Sequence, residues 1–489
     1  MHKRVLAMAA VLSFAIAAGG CNNKNDHAQP KLDNLPTISA VTMKVDTGNF
    51  DGELISQALD EYVAPLVGAH VSLEYIETEQ FMQEFSKYMA TNNLPDTFLI
   101  WFYSLERQLI DNGQLLPLDA LLEEYGGGII SVVDKELLDV NAYNGETYAV
   151  ANQVNRATSL CFEYRKNIAD ANGLDMASVN TLEDLTAVLT QLKQNNSDIV
   201  PMSAYNFRTW DPLSNSLGVL MDYGQSTRVV NLYDTEEYRD ICHFISLWRK
   251  SGLLLNEDFG LTSVNSFVRS PEFFGKLCGY SPGLPYLDSA DAGEPIECVI
   301  LGKPYSHSDS TKGVCWGISA DTEYPVESMK FINLMYSDPY VVNLLSYGIE
   351  GLHYEISDID KGIIDFPEGI TAKSSGYAQF RSYYYGNQFI GYVWNGWPTD
   401  LWKQIQTFNK EALYSKAYGF SYDPLPVANQ VNVCQNVVSE YTSLLEKGVE
   451  DVDTLLAEFR AALKDAEVDW VVADKQRQLD FWLAKGREK

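Results

Sequence analysis

The stretch Leu94-Pro-Asp-Thr-Phe-Leu-Ile-Trp101 indicates the fold class of this 489-residue chain. A turn at Pro95 leads into a continuous apolar run, which is typical of a parallel strand buried on both faces. Trp101 ends this strand and Tyr103 follows it, and in open α/β sheets ligands bind outside the carboxyl ends of strands. We therefore predict an α/β fold in which Trp101 and Tyr103 face a ligand site. The alternative is that both rings pack beneath a loop.

Strand-like and helix-like segments alternate around this stretch. Ile38–Val45 reads as a strand, and Gly52–Tyr62 reads as an amphipathic helix that should stop near Pro65. The pair then repeats, with strand spacing in Val71–Tyr75 and helical spacing in Phe81–Met89. Such alternation predicts parallel strands connected by helices.

A crossing between two lobes is predicted after residue 151. Asn144–Asn152 has turn chemistry that feeds a strand, and Leu160–Arg165 reads as the next strand. The polar residues between them have no apolar periodicity, which favours a connection at the surface. Asn152 and Asn155 are therefore candidate ligand contacts.

A second α/β segment begins at the helix Thr181–Gln194, which Thr181 and Asp184 should cap. Val314–Ser319 is then expected to return to the first lobe as a strand. From Val437 onward the apolar spacing predicts three helices, separated by Gly448 and the Glu467 region.

The amino terminus has the three regions of an export signal: a basic head, an apolar stretch Val5–Ala17 and the small residues before Cys21. Ala18-Gly-Gly-Cys21 resembles a bacterial lipobox, in which the cysteine is diacylated and becomes the new amino terminus. An ordinary signal peptide with a chance cysteine is the alternative. Asn22–Pro36 reads as a flexible linker.

The chain is strongly acidic, with 36 basic against 66 acidic residues and a formal net charge of −30. Long-range repulsion argues against nucleic acid as a partner. Besides Cys21 there are six cysteines, and none forms the closely spaced pair of a structural zinc site. Outside the cell they could form disulfides, but the sequence does not pair them.

Several aromatic and polar residues outside the first segment are also candidate ligand contacts. Trp210 in a Thr-Trp-Asp-Pro turn and Tyr280 after a strand would face the site from the second lobe. Trp316 and His353 are weaker candidates, because the first could be core in its strand and a lone histidine is more often structural.

The most aromatic loop-like stretch is Tyr392-Val-Trp394-Asn-Gly-Trp397-Pro398. Gly396 and Pro398 disfavour a helix, so we expect a loop that presents Trp394 or Trp397 to solvent or ligand. The alternative is that both rings pack in a core.

Catalytic motifs are weak in this chain. Gly279-Tyr-Ser281-Pro-Gly283 has the letters of a nucleophile elbow, but we expect Pro282, Gly283 and Pro285 to prevent the helix that an elbow needs. Asp358 and Asp360 suggest a calcium loop with too few oxygen ligands. No zinc-protease, P-loop or dinucleotide motif occurs. A secreted glycosidase stays possible, since its two carboxyl groups need only be close in space. A lipid-anchored scaffold for other proteins is a third class.

The chain from about Thr37 onward resembles the family 1 extracellular solute-binding proteins of bacterial ABC importers. The stretches that carry this resemblance are Asn112–Tyr125, Asn144–Val150, Phe162–Lys166, Tyr347–Glu355, Gly386–Phe389, Gly419–Pro424 and Gln476–Trp482. The last four are similar to the Lpl-type lipoprotein branch, which has an extra carboxy-terminal domain of unassigned function.

The resemblance implies a two-lobed periplasmic-binding-protein-like fold of type II, with a multi-strand hinge and a helical carboxy-terminal extension. The expected units are a signal peptide (1–20), a linker (21–36), a first lobe (37–155 and 315–350) and a second lobe (156–314 and 351–489). We expect a monomer without cofactor, held by its lipid to the outer face of the cell membrane. It would bind an oligosaccharide between the lobes, leave it unaltered and pass it to ABC permease subunits. A peptide or another small solute is an alternative ligand, because aromatic rings and polar side chains suit both.

Overall fold

The computed structural model describes residues 34–45, 50–101, 103–140, 142–143, 145–255, 266–308, 310, 314–446 and 448–486. The expected signal peptide, Cys21 and most of the linker lie outside these ranges. No helix among the described residues is long and apolar enough to cross a membrane.

The first lobe is built on a five-stranded sheet. Its strands are β1 (Thr37–Lys44), β2 (His70–Glu77), β3 (Thr97–Ile100), β6 (Ala149–Ala151) and β14 (Cys315–Ile318), in the order β2-β1-β3-β14-β6. β1 pairs in parallel with β2 and β3, whereas β14 runs antiparallel to β3 and β6. The expected return of the chain to the first lobe at β14 is therefore confirmed.

Helices cover this sheet, and a small ladder flanks it. The helices are α1 (Gly52–Val67), α2 (Phe81–Thr91), α3 (Tyr103–Asp111), α4 (Asp119–Tyr125), α5 (Gly127–Val132), α6 (Lys135–Val140), α13 (Pro325–Ser337) and α14 (Pro339–Tyr347), and the ladder is β4 (Ala142–Tyr143) with β5 (Glu146–Thr147). The prediction that the first helix stops near Pro65 is confirmed: α1 ends at Val67, and Gly68 after it has a left-handed φ of 86°. A proline in the last turn disturbs little of the preceding hydrogen-bond ladder.

The elements of the second lobe are β7 (Ser159–Arg165), α7 (Lys166–Ala171), α8 (Leu182–Asn195), β8 (Val200–Met202), β9 (Val219–Leu220), the short turn α9 (Met221–Gly224), β10 (Val229–Val230), α10 (Glu236–Lys250), α11 (Ser266–Arg269), β11 (Phe273–Tyr280), α12 (Leu284–Ala292) and β12 (Ile296–Ile300). Four of these strands form a mixed sheet in the order β12-β7-β11-β8. β7 runs antiparallel to β11 and β12, and β11 runs parallel to β8. The expected capping box is present at α8, with Thr181 and Asp184 bonded reciprocally.

Most of the remaining elements follow α14 in the chain. The exception is β13, which precedes β14. These remaining elements are β13 (Tyr305–Ser306), β15 (Glu355–Asp358), β16 (Ile363–Asp365), β17 (Val393–Trp394), α15 (Leu401–Glu411), β18 (Leu413–Tyr414), α16 (Ala428–Glu446), α17 (Val452–Asp465) and α18 (Val468–Gly486). β15, β16 and β17 form a three-stranded sheet, and β13 pairs in parallel with β18.

The three carboxy-terminal helices share one hydrophobic core with residues 210–242 of the second lobe. Lys475 on α18 is fully buried, and its ammonium binds a loop of the second lobe. Its Nζ lies 2.8 Å from the carbonyl oxygen of Asn215, 2.9 Å from Asn215 Oδ1, 2.9 Å from the carbonyl of Gly218 and 3.4 Å from that of Pro212. The helical extension is thus anchored in a loop of the second lobe.

One expected boundary needs correction. Residues 351–489 were all expected in the second lobe, yet Tyr377, Tyr384 and Tyr385 are buried in the core of the first lobe. Gln379 also accepts a hydrogen bond from the backbone N–H of Val45 at 2.6 Å. The chain therefore packs against the first lobe again before it reaches the carboxy-terminal helices.

Candidate functional site

The crossing between the lobes, residues 152–158, is held by backbone hydrogen bonds to other connections. Thr158 and Tyr305 exchange N–H···O bonds of 2.9 and 2.8 Å, as neighbouring strands do. The N–H of Gln153 donates to the carbonyl of Gly386 at 2.7 Å. The crossing therefore lies beside segments of the chain that are more than 140 residues away, which makes the hinge multi-stranded.

Asn409 on α15 binds the crossing with its side chain. Its Oδ1 accepts from the N–H groups of Arg156 and Ala157, at 2.8 and 3.1 Å, and its Nδ2 donates to the carbonyl of Val154 at 2.9 Å. Asn409 is buried. Its amide thus supplies hydrogen bonds that three peptide groups of the hinge would otherwise lack.

The first lobe offers aromatic faces at the carboxyl end of β3. The half-buried ring of Trp101 stacks on Tyr383, with centroids 6.0 Å apart, and meets Tyr384 edge-on at 5.2 Å. Trp101 thus lies at the carboxyl end of β3 beside Tyr383, and its contact with a ligand stays a prediction.

The second lobe contains a cavity of about 230 Å³ at the carboxyl ends of β8 and β11. It is lined by Thr158, Ser159, Leu160, Asn206, Arg208, Cys278, Gly279, Tyr305 and His307. Asn206 and Arg208 are exposed, and His307 is half-buried. The cavity thus combines hydrogen-bond donors and acceptors with a position beside the hinge.

Contacts between the lobes run through α12. Its Asp291 lies 3.6 Å from the guanidinium of Arg381. Its Tyr286 meets Trp397 with ring centroids 6.2 Å apart. Because α12 belongs to the second lobe and Arg381 follows the segment bonded to Val45 of the first, these contacts connect surfaces on both sides of the hinge.

A buried charge cluster lies beneath α12. The ammonium of Lys276 lies 2.9 Å from Glu163 Oε2 and 2.8 Å from Asp288 Oδ2, and Glu163 is fully buried. Burial raises the pKa of Glu163 to about 8, although the attraction of Lys276 opposes this shift. Two carboxyl groups face one ammonium, so the burial of Glu163 favours its protonated form over the charged one.

A larger groove, of about 970 Å³, follows α1 and the edge strand β2. Its lining residues all fall between Thr37 and Tyr75, so it belongs to the first lobe alone. The smaller cavity is the better candidate site, because it lies at strand ends next to the hinge. Within the described ranges, no group of three or more His, Cys, Asp or Glu side chains is arranged to hold a metal ion.

Two predicted contact residues, Trp316 and Asn152, are buried and hydrogen-bonded inside the protein instead. Trp316 is fully buried and donates from Nε1 to the carbonyl of Tyr384 at 2.8 Å. Asn152 donates from Nδ2 to the carbonyl of Tyr383 and accepts from the hydroxyl of Tyr336. The predictions for Trp316 and Asn152 are therefore corrected, because their polar atoms bond to the interior.

Trp210 and His353 also belong to the interior. Trp210 lies in the core that the carboxy-terminal helices share with the second lobe. His353 accepts from the N–H of Ile349 at its Nδ1, and its Nε2 lies 3.1 Å from Asp51 Oδ2. Trp210 thus contributes to a core, and His353 connects two segments of the chain that are 302 residues apart.

The aromatic stretch divides between core and surface. Trp394 is buried and stacks on Phe366 with centroids 4.4 Å apart, so its alternative role in a core is the one observed. Trp397 is half-buried and faces Tyr286 of the second lobe. Tyr280 is also half-buried and meets Phe408 edge-on.

The other two predicted contacts have different positions. Asn155 lies in the crossing and donates to the carbonyl of Ala157, while its buried Oδ1 has no hydrogen-bond partner among the described residues. The side chain of Tyr103 lies outside the described part of the chain.

The prediction that no helix immediately follows Ser281 is confirmed, because a turn at Pro282 and Gly283 separates the serine from the next helix. α12 begins at Leu284, and Pro285 occupies its first turn, where proline is well tolerated. A strand, a turn and a helix follow one another here, but Ser281 is not among the described non-glycine residues with positive φ, so the strained turn of an elbow is not formed at this serine. Among the hydrogen bonds of the described residues, moreover, none joins Ser281 Oγ to a histidine, which the reaction would require as a base.

Sequence reasoning missed Arg208, His307, Arg381 and Asn409. Arg208 could have been found, since it follows the strand β8 by a few residues, as Trp101 follows β3. Arg381 and Asn409 act through partners far away in the sequence, so no local pattern indicates them.

Comparison with known proteins agrees with this geometry. Residues 57–348 match the family described as bacterial extracellular solute-binding protein. The chain belongs to this family. Residues 416–484 match a domain of unknown function, DUF3502, which corresponds to the three carboxy-terminal helices.

Individual relatives share the whole length of the chain. It is 24% identical over 501 aligned residues to a carbohydrate ABC transporter substrate-binding protein of Streptococcus pneumoniae serotype 4, covering 98% of both chains. The crystal structure of the N-glycan transport solute binding protein from Streptococcus pneumoniae superposes with a TM-score of 0.82 at 21% identity, over 92% of this chain and 99% of that one. An HMO-binding, ABC-transporter-associated solute binding protein from Bifidobacterium longum infantis superposes with a TM-score of 0.61 at 14% identity, over 92% of this chain and 100% of that one. The two-lobed fold is thereby shown.

Proposed function

We propose that this solute-binding protein captures an oligosaccharide between its lobes and passes it, chemically unaltered, to ABC permease subunits. The observation that carries the proposal is the pair of complementary surfaces beside the hinge. Trp101 and Tyr383 form an aromatic face on one lobe, and a polar cavity lies at the strand ends of the other. The streptococcal relative named for carbohydrate transport supports this ligand class.

The chemistry of these surfaces suits sugars. Flat aromatic rings bind the C–H faces of pyranose rings and lose little side-chain entropy. Asn206, Arg208 and His307 supply donors and acceptors for hydroxyl groups. A chain of several sugars could occupy the cavity with one end and stack on Trp101 with another.

Binding would be coupled to closure of the lobes. A ligand that touches both lobes has a higher affinity for the closed form and shifts the equilibrium toward it. The Arg381–Asp291 and Trp397–Tyr286 contacts belong to α12 and would strengthen or weaken as the lobes move. The permease could then recognise the closed form.

We further propose that the protein is a monomer, anchored by a lipid on Cys21 to the extracytoplasmic face of the cell membrane. The lipobox-like sequence before Cys21 supports this. Mass spectrometry of the native amino-terminal peptide tests it, and an unacylated Cys21 or cleavage elsewhere would refute the anchor.

Calorimetry against a panel of oligosaccharides and peptides tests the ligand class. We expect binding of at least one oligosaccharide, and Trp101→Ala and Arg208→Ala should each weaken it. Trp470→Ala is the matched control, because that ring is 64% exposed on α18. Binding of peptides alone would contradict the sugar proposal.

Chromatography of the recovered sugar tests whether the ligand is left unaltered. We expect the same oligosaccharide after prolonged incubation. Its hydrolysis would favour a glycosidase instead, and Ser281→Ala would then show whether the elbow-like turn takes part.

A further inference from the structure

Three thiols lie together on three adjacent strands of the second sheet. Cys161 is on β7, Cys278 on β11 and Cys298 on β12. The Sγ atom of Cys161 is 3.6 Å from that of Cys278 and 3.9 Å from that of Cys298. Cys161 and Cys278 are buried, and Cys298 is partly buried.

The strand register favours one of the two possible bonds. Cys161 and Cys278 are directly opposite each other on antiparallel strands. Opposite residues have Cα atoms about 4.5–5.5 Å apart, within the roughly 4.4–6.8 Å that a disulfide spans. Cys298 is opposite Glu163, so its approach to Cys161 is diagonal, which is a longer span between the backbones.

We propose that the exported protein carries a disulfide between Cys161 and Cys278, with Cys298 as a neighbouring free thiol. Members of this family are extracellular proteins, and disulfides persist outside the reducing cytoplasm. Two S–H bonds break and one S–S bond forms. The two electrons and two protons pass to an external disulfide, such as oxidised glutathione or a disulfide oxidoreductase, which becomes two thiols.

The third thiol allows exchange without any further oxidant. The thiolate of Cys298 can attack the sulfur of Cys161, which releases Cys278 as a thiolate and moves the disulfide to Cys161–Cys298. A hydrogen bond with Cys161 and burial raise the pKa of Cys278, so thiolate is scarce in the folded protein.

The bond would join two walls of the candidate cavity. Ser159 and Leu160 on β7 line it, as do Cys278 and Gly279 on β11. A covalent link between these strands would fix the distance between the walls and restrict the unfolded chain across a loop of more than 100 residues.

Peptide mapping of the full chain, purified from its exported form, tests the proposal. The protein is quenched in acid, denatured and alkylated with N-ethylmaleimide, then reduced and alkylated with iodoacetamide. We expect iodoacetamide on Cys161 and Cys278, N-ethylmaleimide on Cys298, and a Cys161–Cys278 crosslinked peptide without reduction. N-ethylmaleimide on all three residues, also after refolding with oxidised glutathione, would overturn the proposal, as would a Cys278–Cys298 bond or a Cys161–Cys298 bond as the main product.

Two variants separate the bond from a merely structural role of the thiols. Cys298→Ser should leave the Cys161–Cys278 peptide in place, while Cys161→Ser should abolish it. In the wild type, a reducing agent should lower the melting temperature by several degrees, and in Cys161→Ser it should have no effect. Cys434→Ser is the matched control, since Cys434 is buried on α16 and donates to the carbonyl of Ala466. If reduction destabilises Cys161→Ser as much as the wild type, the assignment of this disulfide is wrong.

Discussion

Arg381 and Asp291 face each other from different lobes, with Nη2 of the arginine 3.6 Å from Oδ2 of the aspartate. The side chain of Arg381 is 16% exposed and that of Asp291 is 34% exposed. The pair is therefore partly shielded from solvent and depends on how the lobes are placed.

We expect Arg381→Ala and Asp291→Asn each to shift the protein toward an open form. Partly exposed pairs contribute about 0.5–1 kcal/mol, so ligand affinity should fall about two- to fivefold. The double variant should bind no more weakly than the worse single variant, because the same interaction is lost. Small-angle scattering and calorimetry measure both effects. Lys361→Ala, which breaks an exposed pair with Asp358, is the control, and an equal loss there would refute a special role for Arg381.

Asn409→Ala should destabilise the protein by about 2–4 kcal/mol. It leaves the N–H groups of Arg156 and Ala157 without their acceptor in the hinge, and unsatisfied buried donors cost about 1–3 kcal/mol each. Urea unfolding measures the loss. Asn436→Ala, at an exposed position on α16, should change stability by less than about 0.5 kcal/mol. Equal stability of the two variants would show that the hinge does not depend on Asn409.

Glu163 should make stability depend on pH. Its pKa is raised to about 8 in the folded protein, above the ordinary value of 4.5. Between these values the folded form holds a proton that the unfolded form releases. The contribution of this proton to the free energy of unfolding is therefore full below about pH 4.5 and is lost as pH rises through 8. The free energy of unfolding should therefore fall by up to about 1.4 kcal/mol for each pH unit between these two values.

Glu163→Gln should remove this part of the slope, because the amide has the shape of the protonated acid but does not titrate. Thermal unfolding from pH 5 to 8 measures it, and the variant should gain stability relative to the wild type as pH rises. Glu458→Gln, at an exposed position on α17, is the control. A parallel pH dependence of wild type and Glu163→Gln would contradict the proton on Glu163.

Trp394→Ala should lower stability by about 3–5 kcal/mol and leave affinity unchanged, because the buried indole stacks on Phe366 and meets Tyr347 edge-on. Trp397→Ala should lower ligand affinity more than stability, because the ring of Trp397 contacts Tyr286 of the second lobe and this contact depends on how the lobes are placed. Calorimetry and melting curves on both variants separate the two roles. If Trp394→Ala lowered ligand affinity without lowering the melting temperature, Trp394 would be a ligand contact rather than a core residue.

Lys475→Met should cost about 3 kcal/mol or more. The substitution keeps an unbranched apolar side chain but removes an ammonium that bonds to Asn215 and Gly218, and hydrogen bonds to charged groups contribute about 1.5–3 kcal/mol. Proteolysis of α18 in the folded protein should also become faster. Lys464→Met on the exposed face of α17 is the control, and equal effects of both variants would refute the anchoring role.

Local features of the sequence were sufficient to predict many elements. The capping box at Thr181 needs only four neighbouring residues, and β3 is recognisable from its own apolar run. Contacts that depend on chain crossing were not predictable. Asn409 binds peptide groups about 250 residues earlier, and no periodicity near either end indicates this.

The aromatic candidates show the same limit. Trp101 follows β3, and Trp316 lies within β14 of the same sheet. Trp101 is half-buried at the strand end, whereas Trp316 is fully buried. Sequence alone does not tell an indole at the edge of a sheet from one inside it, since both positions favour large apolar rings.

The ammonium of Lys475 occupies the kind of position, among several oxygen atoms of one loop, that a bound cation fills in other proteins. Here the positive charge is covalently attached to the chain. The oxygen atoms of residues 212–218 therefore keep their positive partner at any concentration of free cations, because the ammonium can leave them only if α18 itself detaches.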